Sequence, residues 1–166
     1  PIITRMSKVM GKKKAFIVSQ LISIIGYVLF WFLFVPGKPY LFLFALPFHS
    51  FGIGSLFTIM MSMTADVCDL DELQTGKRRE GVLGAVYWWM VKLGFGIAAL
   101  LGGFILSVVG FDAENVTESA VTGMRMFYTL LPIAGVIGAI LMMKSYDITE
   151  EKAQEIKAKL EERKKS

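Results

Sequence analysis

Two groups of residues in this chain have the type and spacing to do chemistry. The first is the acidic run Asp66, Asp69, Asp71 and Glu72, followed closely by Lys77, Arg78, Arg79 and Glu80. The second is Lys92, alone in a long apolar stretch one helical turn after Trp88. Acids and bases set this close together form ion pairs. In a solvated loop each pair contributes only about 0–1 kcal/mol. At an interface that opens and closes, the same pairs bias one conformation over another. The acids do not form a metal site. They lack the glycine and terminal glutamate of a calcium loop, and no histidine stands near them. His49 is isolated and is expected to pack as a polar core residue. No nucleophile–base pair or phosphate-binding loop is present, so an enzyme is not expected.

Lys92 is the most informative position. A charge inside a membrane span costs at least about 2.5 kcal/mol unless it is paired, wet or snorkelled. Positions 92, 96, 99 and 103 share one helical face, which reads Lys92, Gly96, Ala99, Gly103. A face of small residues packs against protein rather than lipid. The alternative is that the lysine snorkels to the membrane surface. Trp88 has two readings as well. Over a cavity its indole stacks on the apolar face of a sugar ring. With Tyr87 and Trp89 it makes an interfacial aromatic belt.

The elements that would position these groups are membrane spans. The chain has 166 residues, 54% of them hydrophobic, and a mean hydropathy of +0.56. That is too apolar for an ordinary soluble domain. Four apolar runs are long enough to cross a bilayer, at about 15–35, 40–63, 84–109 and 126–143. Pro47 falls inside the second and predicts a kink there. A basic loop over 1–14, a charged loop over 64–83, a loop over 110–123 and a tail over 144–166 complete the chain. Asp147 and Glu150 predict a helix start in that tail, with Ile156 and Leu160 as a thin stripe on a mostly solvated helix.

Lysine and arginine crowd the lead-in, the charged loop and the tail, and are absent from Phe111–Gly123. The positive-inside bias predicts both termini and the 64–83 loop in the cytoplasm, with 110–123 outside. The net charge of +4 is spread over separate interhelical segments, so no nucleic-acid partner is expected. One cysteine, Cys68, excludes an internal disulfide. The chain starts at Pro1 in a polar stretch and reads as part of a longer protein.

The pattern Asp66-x-x-Asp69-x-x-Glu72, then Thr75-Gly76-Lys77-Arg78-x-Glu80-Gly81, then Lys92-Leu93-Gly94, resembles the glycoside–pentoside–hexuronide:cation symporters. These form the melibiose-permease-like branch of the major facilitator superfamily. The resemblance runs along the whole chain, including Gly11-Lys12-Lys13-Lys14 and the tail. It implies an all-α integral membrane fold, with four spans like helices 9 to 12 of a twelve-helix transporter. It implies that Lys92 faces the central cavity, and that Asp66, Asp69, Glu72 and Arg78, with Glu80 beside them, form a cytoplasmic gate network. Leu70 departs from the pattern, where members often carry tyrosine. No cofactor is implied. The coupling ion, Na⁺ or H⁺, and most sugar contacts would lie in N-terminal helices not contained in this sequence.

The leading expectation is therefore part of a plasma-membrane sugar:cation symporter that works by alternating access. Its partners would be membrane lipid, a small-molecule substrate, and the N-terminal helices of the same protein. One alternative keeps the fold but carries an organic anion or a lipid-like cargo. Another is a four-helix membrane subunit that transports nothing.

Overall fold

A computed structural model describes residues 2–35 and 37–165. Pro1 and Pro36 lie outside the described residues, so the first position of the Pro36–Pro39 turn is not among them. The chain is all-helical. Helix α1 (Ile2–Met10) leads into α2 (Lys12–Leu33). A 3₁₀ turn (Pro39–Phe44) precedes α3 (Leu46–Thr75). Then come α4 (Glu80–Val108), α5 (Glu118–Met143) and α6 (Glu150–Lys165). Helices α2 to α5 are each long and apolar enough to cross a membrane.

Helix α2 is the hub, packing on both α3 and α5. Its approach to α3 depends on two glycines. A Cβ on Gly26 would stand 2.7 Å from the backbone nitrogen of His49. One on Gly52 would stand 2.7 Å from Ser23 Cβ. A polar cluster from both helices turns into this crossing. Gln20 Nε2 donates to Ser55 Oγ at 3.0 Å and to the Gly52 carbonyl at 3.3 Å, while Ser23 Oγ donates to the Gln20 carbonyl. Ser19, Gln20, Ser23 and Ser55 are all buried. Hydrogen bonds between apolar helices contribute about 0.6–2 kcal/mol each, enough to hold one register against a slide. Further along, His49 stacks edge-on to Tyr27 and Phe30, with ring centroids 5.1 and 5.8 Å away.

Several boundaries differ from the sequence expectation, each for a local reason. The lead-in, expected as a loop, is helical over Ile2–Met10. Its Ile3 and Met6 pack on the core of Ala15, Phe16, Ile59, Met63 and Met143. Gly11, at φ 82°, makes the corner into α2 that a residue with a Cβ would resist. The kink expected at Pro47 does not form. Pro47 lies in the first turn of α3, where the missing N–H has no helical partner to lose. Helix α3 also outruns its apolar stretch by three turns, taking in Ala65–Thr75. It ends at Gly76, whose left-handed backbone lets its N–H return to the Glu72 carbonyl at 2.8 Å. Helix α5 starts about two turns before Met126, capped by Thr117 Oγ1 accepting from the Ala120 N–H at 3.3 Å.

Helix α4 stands apart. None of its residues is buried, and it only brushes α3 and α5. One hydrogen bond joins it to α3, from Tyr87 Oη to the Leu56 carbonyl at 3.3 Å.

Candidate functional site

Because α3 stays helical to Thr75, its acids are spread along a rigid face. Asp66 lies nine residues before the helix end, about 14 Å along the axis. It therefore does not meet Lys77, Arg78 or Arg79. Asp66 is 2% exposed and is bound by Lys12, whose Nζ donates to Oδ2. Tyr146 Oη donates to the same oxygen at 3.4 Å, and Lys157 Nζ stands 3.9 Å from Oδ1. Among the described residues, Oδ1 has no hydrogen-bond partner of its own. One buried carboxylate thus ties together the start of α2, the inner part of α3, the segment after α5, and α6. Burial pushes the Tyr146 hydroxyl well above its ordinary pKa, and the Asp66 charge adds to that push. Tyr146 therefore stays a donor.

A second tie reinforces the first. Lys13 Nζ donates to the carbonyls of Lys144 and Tyr146, at 2.9 and 2.8 Å. These are carbonyls at and just past the C-terminal end of α5, where helices lack internal donors. The tail then folds back. Helix α6 buries Ala153, Ile156 and Leu160 and packs on α3. Arg163 Nη1 donates to the Leu73 carbonyl at 2.8 Å. The Ile156 and Leu160 stripe is therefore a docking face on a helix whose other described residues are mostly exposed. The helix is capped by Thr149, whose Oγ1 accepts from the Lys152 N–H at 3.2 Å, and not by the Asp147–Glu150 pair.

The exposed connection Gly76–Arg79 holds a second set of ion pairs. Arg78 bridges Glu72 and Glu80, at 2.8 Å to each. Arg79 pairs with Asp71. Asp69 and Lys77 make no ion pair among the described residues. So Glu72, Arg78 and Glu80 come together as a set, Asp66 belongs to a different and buried set, and Asp69 joins neither. Lys12, Tyr146 and Lys157 were not singled out from the sequence. The one hint was a lead-in of five bases and no acid, which needs a carboxylate from elsewhere.

Lys92 and Trp88 lie on α4, both exposed. Gly96, Ala99 and Gly103 are exposed too, and a Cβ on either glycine would touch nothing within 4 Å. Among the described residues, then, this face has no packing partner.

The sequence profile described as MFS/sugar transport protein matches residues 1–150. The chain belongs to this family. Its members are transporters, not enzymes. A glucuronide carrier protein homolog of Escherichia coli (strain K12) is 31% identical across 99% of this chain, which covers 36% of that protein. An uncharacterized symporter of Bacillus subtilis (strain 168) is 28% identical across 99% of the chain and 36% of its own length. An isoprimeverose transporter of Lactiplantibacillus pentosus is 27% identical across 78% of the chain and 27% of its own length. No solved structure matches the chain. The chain spans about a third of the length of the curated relatives it matches.

Proposed function

We propose that this chain is the C-terminal part of a glycoside:cation symporter, corresponding to helices 9 to 12 of twelve. The observation that carries the reading is α4, a 29-residue apolar helix with one lysine and no buried residue. A lysine on a glycine-lined face, exposed among the described residues, suits a face completed by other helices around a wet path. In that setting Lys92 meets acidic groups of the N-terminal helices, and Trp88 offers its indole to a sugar ring. One relative is provisionally assigned as a glycoside/cation symporter, and others are named for a glucuronide or isoprimeverose. These names support a sugar-like cargo and coupling to Na⁺ or H⁺.

The charged ends fit the same reading. The Asp66 set closes one end of the bundle, and the positive-inside bias assigns that end to the cytoplasm. Transport by alternating access would break and remake contacts at this end in each cycle. The exposed Arg78 bridge is the piece best placed to exchange partners with the N-terminal half.

The test is cation-driven sugar uptake in vesicles made with the full-length protein at matched expression. Both Lys92→Ala and Lys92→Arg are expected to impair coupled uptake, because arginine keeps the charge but not the compact ammonium. Wild-type uptake and ion dependence in both variants would reduce Lys92 to an interfacial anchor.

A further inference from the structure

The end of the bundle remote from Lys12 contains a cavity of about 540 Å³. It lies between the last turns of α2, the 3₁₀ turn, the first turn of α3 and the first half of α5. Its walls are mostly aromatic, with Tyr27, Phe30, Phe42 and Tyr128 among them. Cavities of about 300–1,000 Å³ with apolar walls and a few polar groups are of the size that holds organic ligands.

One cation lies at this cavity, Arg125. Its Nε and Nη2 both donate to the carbonyl of Phe34, just past the end of α2. That bond holds the guanidinium in place and leaves the Nη1 side for another acceptor. None of the ion pairs among the described residues involves Arg125. Asp112, Glu114 and Glu118, the acids just before it in sequence, form no ion pair with it. Pro132, also in the wall, supplies no N–H to the carbonyl of Tyr128. The cavity therefore pairs an oily slot with a fixed, unneutralised guanidinium.

We propose that this cavity is a binding site for a membrane glycerophospholipid. An acyl chain occupies the aromatic slot between α2 and α5, and the phosphate takes the free side of Arg125. Charge complementarity selects this occupant. A planar guanidinium with spare N–H groups matches a phosphate, and a neutral chain matches the walls. The site is separate from the Lys92 face on α4, so it does not depend on which cargo the transporter carries.

The experiment uses the full-length protein in vesicles containing a phosphatidylglycerol with a photoactivatable diazirine at mid-chain. Cross-linked peptides are mapped by mass spectrometry. Label is expected on residues 27–34 and 124–132, in excess over other membrane-facing peptides. Arg125→Gln is expected to lower that label about tenfold, the size of effect that losing one charge-assisted hydrogen bond gives. A cavity-filling Thr129→Phe should lower it too without touching the charge. A phosphate-free diacylglycerol probe should label these segments no better than the rest of the bundle. If 27–34 and 124–132 are no more labelled than other spans, or if Arg125→Gln leaves the label unchanged, the proposal is overturned. Protection of both segments because another helix of the transporter fills the slot would overturn it as well.

Discussion

At the level of single residues, burial separates two kinds of ion pair on the same helix. Asp66 is enclosed by Lys12, Tyr146 and Lys157, whereas Asp71 meets Arg79 in the open. Removing one partner of a fully buried pair costs about 3–5 kcal/mol. Lys12 keeps 17% exposure and can swing into water, so Asp66→Asn is expected to cost about 2 kcal/mol. Asp71→Asn should leave thermal stability where it was, since exposed pairs contribute little. Melting curves of the two variants in one detergent test the contrast. Equal melting temperatures would remove Asp66 from its structural role. The sequence alone ranked Asp66 and Asp69 together, as acids three apart near a basic loop. Spacing along one helix does not report which acid turns toward a lysine 54 positions earlier.

At the level of elements, apolar length was enough to find all four long helices. A start signal and i,i+4 spacing located the tail helix and its Ile156–Leu160 stripe as well. Apolar length was poor at the helix ends, because helix continuation past a membrane boundary depends on caps and not on hydropathy. Thr117 and Gly76 each set an end that the apolar runs misplaced, and Thr149 caps the tail helix in place of the expected Asp147. Pro47 misled in the same way. A proline in an apolar run reads as a kink only if the helix has already begun. The α2–α3 crossing gives a sharper element-scale expectation. In the full-length protein, Gly52→Ala must push against Ser23 Cβ and is expected to cost about 1–3 kcal/mol. Gly96→Ala meets no atom of the described residues and gains about 1 kcal/mol of helix propensity. If the α4 face packs on other helices of the transporter, Gly96→Leu should lower uptake while Gly52→Ala lowers thermal stability. Full uptake by the Gly96→Leu protein would show that the face is bare in the assembled transporter too.

For the whole molecule, the charge asymmetry yields a topology that can be read directly. Reporter fusions at Lys13, Arg78 and the tail should give cytoplasmic signals, and a fusion at Asn115 an external one. A cytoplasmic signal at Asn115 would break the four-span arrangement. The Asp66 set bears only on the common side of the two ends, since one carboxylate gathers segments from both ends of the chain at the same side of the bundle. Helix α4 has a last consequence, for the life of the protein in the cell. Cells triage incompletely packed protein through chaperones and proteases, and α4 buries none of its residues. On the proposed twelve-helix reading, this chain synthesised without the N-terminal helices should turn over quickly, with α4 as the mark. Supplying the N-terminal helices as a separate polypeptide should lengthen its half-life in a pulse–chase measurement. An unchanged half-life would mean that α4 finds its cover elsewhere.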